Sequence, residues 1–180
     1  QVLITTGRAG EALALWNPFI LRAGSSLSAL LQRAQAAIAA GASDQATADL
    51  EKCRSAASRD EEWRQIAGVA VALRRYDLAV DAFQEALRLG PNEPRNFSGF
   101  ASLCNELGDY ALAAEIAGGA IKLDSDSGAG WLELGNALMH QGDYAGAAHA
   151  FLTLAELQPN SADAYCNLGL IHQEAMAHEE

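Results

Sequence analysis

The chain has 180 residues and a mass of 19.0 kDa, so it is one domain or a short array, long enough to bury a core without disulfides or metal. Half of it is hydrophobic, yet 38 residues are Ala and only 7% are aromatic; small, helix-favouring side chains dominate, which points to an all-α fold. The net charge of −11 is opposite in sign to the field that a nucleic-acid phosphate backbone requires, so no nucleic acid is expected as a partner, and the longest apolar stretch, within Ile66 to Leu73, is far too short for a membrane span.

In chain order, the first segment is the least regular. Gly7-Arg8-Ala9-Gly10-Glu11-Ala12-Leu13 reads as a turn followed by a helix, which Pro18 must break or restart at its first position. Gly41 follows 34 residues after Gly7 and precedes Ala46, Leu50 and Cys53 at core offsets. From Asp60 a strict period appears. Trp63, Phe97, Trp131 and Tyr165 are separated by 34 residues each, and Ile66, Phe100, Leu134 and Leu168 keep the same register. So do Ala67, Ala101, Gly135 and Gly169, then Tyr76, Tyr110 and Tyr144, and finally Ala79, Ala113 and Ala147. Gly108-Asp109-Tyr110 and Gly142-Asp143-Tyr144 mark a turn in mid-unit, where Arg74-Arg75-Tyr76 stands in the first unit; Pro91, Ser125 and Pro159 close the units.

Each unit therefore predicts two antiparallel helices, A and B, of about 14 residues joined by a three-residue turn. Small residues at the eighth and twentieth positions let the backbones approach, and the aromatic at the fourth fills the groove between pairs. One pair cannot bury both faces, so the units stack. The middle unit departs in helix B: Ala117 replaces the Phe of its neighbours, and Gly118-Gly119 follow, as close-packing residues or as a soft joint.

Trp131-x-x-Leu134-Gly135, Gly142-Asp143-Tyr144, Ala147, Phe151, Ala155 and Pro159 resemble the tetratricopeptide repeat (TPR) consensus nearly position for position. The resemblance implies a right-handed superhelical solenoid of antiparallel helix pairs whose inner face is lined by A helices. Full repeats are placed at 60–93, 94–127 and 128–161, degenerate repeats at 1–59, and helix A of a further repeat, or a capping helix, at 162–180. Gln1 falls partway through a helix A, and Met176 to Glu180 align with a turn and the start of a helix B; the chain thus reads as a fragment of a longer protein.

Chemistry-bearing motifs do not appear. No Walker loop, Gly-x-Ser-x-Gly or His-Glu-x-x-His occurs, no two histidines stand at i, i+4, and Cys53, Cys104 and Cys166 fall in different repeats, so neither an enzyme nor a metal or cofactor site is expected. Cys104 reads as packing and His172 as a core-edge histidine. The three unpaired cysteines, each within a helical pattern, read as buried or half-buried free thiols of a reducing compartment, the cytoplasm.

What remains is the inner groove. The second, fifth, sixth, ninth, twelfth and thirteenth positions of helix A share one side of the helix, opposite the core positions. Its candidate residues are Arg64 in the first repeat; Arg95, Ser98 and Asn105 in the second; Leu132, Glu133, Asn136, Met139 and His140 in the third; and Asn167 and Leu170 beyond. The asparagines can bond an extended main chain, and the apolar groups can seat a side chain. From Leu123 onward there are nine acids and no Lys or Arg, so a neutral or basic protein segment is the expected partner; exposed solenoid ends can also pair two copies.

Some members of the family grip a C-terminal carboxylate with Lys, Asn and Arg on consecutive A helices. Here Arg64 is present, but Gly68, Gly99, Ala129 and Glu133 take the other places. Asn167 resembles the asparagine ladder of repeat arms on protein glycosyltransferases, a ladder that Gln65, Gly99 and Glu133 interrupt. The functional expectations are thus a non-catalytic interaction scaffold, the substrate-recruiting arm of a larger enzyme, or a bacterial secretion chaperone.

Overall fold

The structure, a computed structural model, describes residues 9–23 and 26–177. These form ten helices: α1 (Ala9–Ala23), α2 (Leu27–Ala39), α3 (Ser43–Ala56), α4 (Asp60–Ala72), α5 (Tyr76–Leu89), α6 (Pro94–Leu107), α7 (Tyr110–Leu123), α8 (Gly128–His140), α9 (Tyr144–Leu157) and α10 (Ala162–Ala177). The described residues contain no strand. The chain divides into two compact units, Gln1–Gly90 and Pro91–Glu180.

Local chemistry sets the helix ends. Ser26, Asp109, Ser127 and Asp143 each accept a backbone N–H three residues on, at 2.9–3.3 Å, satisfying donors that the first turn leaves open. Glu62 closes a reciprocal cap, its carboxylate accepting the N–H groups of Ser58 (2.9 Å) and Arg59 (3.1 Å); the Ser58 bond above all, with the Arg59 side chain, holds its carboxyl down to about 2. Pro94 opens α6, where a missing N–H costs nothing.

One turn recurs between paired helices. Gly41, Gly108 and Gly142 have φ of +76°, +80° and +81°, and the N–H of the residue after each reaches back five residues: Ala42 to Ala37, Asp109 to Cys104 and Asp143 to Leu138. Between α4 and α5 the same bond runs from Arg75 to Ala70, but Arg74 takes the left-handed conformation at φ +56° without being glycine. The turn between α2 and α3 thus has the hydrogen bonding of those downstream.

In the first unit, α2 packs on α1, α3 and α4, and α4 packs on α3 and α5. Its core is built largely of alanines, among them Ala34, Ala46, Ala67 and Ala79, with Leu50, Ile66 and Phe83 filling the space between. It also holds an ion pair that sequence reading missed. Arg33 on α2 donates from Nε and Nη2 to the two carboxylate oxygens of Asp49 on α3, at 2.7 and 2.6 Å. Gln45 bonds the same carboxylate, and Arg33 Nη1 donates to Asn17 on α1. Both charges are buried. Contrary to expectation, Pro18 does not break α1: the helix runs through it, giving up one backbone hydrogen bond. The turn expected at Gly7-Arg8 and the partial helix at Gln1 lie outside the described residues.

In the second unit, each helix packs on the next, and α8 contacts α6 and α10 as well as α7 and α9. Trp131 and Phe97 are half-buried at the same place, the fourth residue of α8 and of α6. Gly118-Gly119 meets the close-packing alternative at its second residue: a Cβ on Gly119 would stand 2.8 Å from the Phe97 ring, whereas Gly118 faces open space. A turn expected from Met176 is not there, because α10 continues to Ala177; His178 to Glu180 lie outside the described residues. Two further expectations are corrected on α10. His172 is exposed, as are Tyr165 (54%) and Gly169, and Cys166 is an exposed thiol. The equivalent face of α8 is covered by α9, whose Phe151 lies on Gly135.

Candidate functional site

The face shared by α6, α8 and α10 carries most of the residues that the sequence nominated. Helix stacking sets the twelfth position of α6 against the sixth of α8, and the ninth of α8 against the sixth of α10, and side chains bond across both steps. Asn105 on α6 donates through Nδ2 to the Glu133 carbonyl (3.0 Å) and to its carboxylate Oε2 (2.9 Å), so the Glu133 side chain is fixed on the half-buried face of α8. Asn105 Oδ1 is buried and accepts no hydrogen bond. One step on, Asn167 on α10 donates to Asn136 Oδ1 at 3.5 Å, a longer contact between two half-buried amides.

Beyond this polar stretch the face turns apolar. Met139, His140, Tyr144, Leu170, Ile171 and Glu174 line a recess of about 270 Å³. Leu170 is exposed at 51%, while Met139, Tyr144 and Leu132 pack against the small core of Ala147, Phe151 and Ile171. His140 is positioned by stacking on Tyr110, with ring centroids 4.5 Å apart and planes at 10°, and Gln141 Nε2 locks the same corner by donating to the Tyr110 carbonyl at 2.7 Å.

Three nominated residues stand apart. Ser98 is buried, its hydroxyl directed to the Arg95 carbonyl of its own helix, so it does not reach the face; its fifth position turns towards the interior instead of the groove. Arg95 is exposed and pairs with Glu93 at 3.0 Å. Arg64 is half-buried on α4 in the first unit. That unit has its own recess of about 500 Å³, lined by Ser28, Gln32 and Gln35 of α2 with Gln65, Gly68 and Val69 of α4 among others.

Sequence reading passed over Tyr144 and Ile171, because both sit at positions that the repeat pattern assigns to packing. Each serves the core and the recess together. Among the described residues, no group of three or more His, Cys, Asp or Glu is placed to hold a metal ion, and no helix is long and apolar enough to cross a membrane. Burial pushes the Cys53 thiol up to about 12, helped by Asp49, and the Cys104 thiol up to about 11, helped by Asp109, so both are protonated packing groups at neutral pH.

Antiparallel helix pairs in register, with α2 touching α4 in the first unit and α8 touching α6 and α10 in the second, define a helical-repeat protein with a side-chain-lined face. The "Tetratricopeptide repeat" pattern matches residues 64–128 and the "TPR repeat" pattern matches residues 135–175. The chain belongs to the tetratricopeptide-repeat family.

It is 30% identical over 104 residues to the small glutamine-rich tetratricopeptide repeat-containing protein 2 of Mycosarcoma maydis, covering 58% of this chain but only 30% of that protein's length. Among solved structures it is similar to the Sgt2 TPR domain from Aspergillus fumigatus (25% identity, TM-score 0.64, 67% of this chain and 81% of that one). It also shares the fold of the first TPR of Spaghetti (RPAP3) bound to the HSP90 peptide SRMEEVD (20% identity, TM-score 0.63, 66% of this chain and 94% of that one).

Proposed function

We propose that this chain is a non-catalytic scaffold that binds a protein segment, and that the segment lies on the shared face of α6, α8 and α10. The observation that carries the reading is the arrangement on that face: a carboxylate fixed by Asn105, a pair of side-chain amides at Asn136 and Asn167, and an apolar recess at Met139 and Leu170. Amides serve an extended main chain, and a recess of this kind takes a side chain. The family supports a binding role, since its members include a domain whose structure holds a peptide. A strongly acidic peptide such as SRMEEVD fits this chain poorly, because Glu133 stands where a cation would be needed and no Lys or Arg follows Lys122. A neutral or basic segment is favoured, with association that weakens as salt rises. Residues 60–93, 94–127 and 128–161 are the three full repeats in this reading, and free thiols favour a reducing, cytoplasmic setting.

The test is photo-crosslinking from a residue on this face, in lysate, with and without Glu133→Lys and Asp163→Lys. Glu133 is half-buried and Asp163 exposed, so the fold should tolerate both changes, which circular dichroism would check. Partners captured by the parent chain should be lost or replaced in the reversed variant; an unchanged set of crosslinked proteins would refute the placement.

A further inference from the structure

The chemistry of the face is specific enough to say what kind of segment it selects. Glu133 and His140 are seven residues apart, two turns of α8, and therefore on the same side of the helix, separated by about 10 Å at 1.5 Å per residue. An extended chain covers that distance in about three residues at 3.3 Å each. At one end is a carboxylate whose Oε2 is already engaged by Asn105, which directs the group without neutralising it. At the other end is the recess between Met139, Tyr144, Leu170 and Ile171, with Glu174 on its rim. Its volume of about 270 Å³ is below the roughly 300 Å³ at which small-molecule sites begin, and it suits one or two aliphatic side chains.

The charge pattern selects the occupant's sign. From Leu123 to the last residue there are nine acids and no Lys or Arg, so no cation of α8, α9 or α10 answers Glu133 and Glu174; on α6, Arg95 is already paired with Glu93. A segment that brings an aliphatic group alone leaves Glu133 unanswered. One that brings a carboxylate is repelled at both ends of the site.

We infer that this face selects an extended protein segment with a basic side chain three residues from an aliphatic one, the cation meeting Glu133 and the aliphatic group entering the Met139–Leu170 recess. The inference rests on the reading that this face binds a protein segment, and narrows it to a spacing and a charge.

The experiment uses the full 180-residue chain, isotope-labelled, titrated with short capped peptides and followed by amide chemical shifts. The probes are Lys-Ala-Ala-Leu and its reverse, each flanked by glycines, with Glu-Ala-Ala-Leu, Gln-Ala-Ala-Leu and Lys-Ala-Ala-Ser as controls. At least one order of the Lys and Leu pair should shift Glu133, His140 and Leu170. It should bind about fivefold or more tightly than the Glu and Ser controls, a difference of about 1 kcal/mol. Glu133→Gln keeps an oxygen for Asn105 and removes the charge, so it should abolish the preference for Lys over Gln. Leu170→Ser, at an exposed position, should abolish the preference for Leu over Ser. Equal binding of Lys and Glu probes, preferences unchanged by the two variants, or no shift at several times the ~1 mM expected of so small a ligand would overturn the inference. Shifts across α6, α8 and α10 that ignore Lys and Leu would overturn it while leaving the binding face intact. Shifts confined to α7 and α9 would overturn both.

Discussion

The buried pair of Arg33 and Asp49 makes the sharpest stability prediction. Asp49 is fully buried and Arg33 is 8% exposed, and two hydrogen bonds of 2.7 and 2.6 Å join them side-on. Removing the carboxylate by Asp49→Ala leaves a guanidinium in the core of the first unit, bonded to Asn17 Oδ1 but with no opposite charge beside it. Breaking such a pair costs about 3–5 kcal/mol, because the charge left behind has lost both water and partner. With a urea slope of about 1–3 kcal/mol per molar, the unfolding midpoint of the first unit should fall by at least about 1 M. The assay is equilibrium urea unfolding by circular dichroism, with the fluorescence of Trp16 and Trp63 reporting on the first unit in a Trp131→Phe background and that of Trp131 on the second in a Trp16→Phe, Trp63→Phe background. The control is the double change Arg33→Met with Asp49→Leu. It removes both charges at similar volume and should recover most or all of the loss, since the attraction within a buried pair only roughly repays its desolvation. A single variant that costs less than about 1 kcal/mol, the value of an exposed pair, would refute the reasoning. So would a double variant no better than the single one.

Arg74 is exposed and adopts φ +56°, where its three counterparts are glycines, so Arg74→Gly should raise stability by up to about 1 kcal/mol, read as an increase in melting temperature; a decrease would refute the strain. Of the three cysteines, only Cys166 is exposed, so a thiol reagent at pH 8 should modify one group quickly and the other two only on unfolding; three fast equivalents would contradict the burial. Because the Cys53 and Cys104 thiols ionise near 12 and 11 in the fold but near 9 when unfolded, the unfolded form loses protons first as pH rises. Stability should therefore be retained below pH 9 and fall between 9 and about 12, less steeply in Cys53→Ala; a flat profile over that window would contradict it.

What the sequence disclosed was what recurs. Positions such as Ala67 and Ala101 are buried because every helix pair meets its partner in the same way, so a period of 34 carries the pairing, the turns and the inward face together. What it hid belongs to single places. Arg33 and Asp49 are 16 residues apart in an alanine-rich stretch with no counterpart downstream, and nothing in their spacing says that both point inward. Asn105 and Glu133 were each assigned to the groove, but their bond spans 28 residues, six short of the period, and depends on how far one A helix slides along the next. Ser98 was misplaced for the same reason: a fifth position lies at the border of the inward arc, and a small local rotation decides its side. The core edge expected of His172 follows Ala70, Cys104 and Leu138 at the same position, which are buried or half-buried in their own helix pairs; on α10 that face is exposed.

The middle repeat shows how a local irregularity is resolved by its neighbour. In the last full repeat the aromatic comes from helix B: Phe151 lies over Gly135, where a Cβ would approach its ring to within 2.6–2.9 Å, so the glycine of helix A is required by the ring of helix B. In the repeat before, helix B offers Ala117 at the matching position, and the ring comes from the other side. Phe97 of helix A lies over Gly119 of helix B, again closer than a Cβ permits. Each pair joins one phenyl ring to one glycine across the same kind of interface, with the donors exchanged. Gly119 therefore lies within a packed contact, not in a void, and its flexibility is opposed by the ring it receives. Substituting it with alanine trades about 1 kcal/mol of helix propensity against displacing Phe97, which is why the glycine belongs to the packing of α6 on α7.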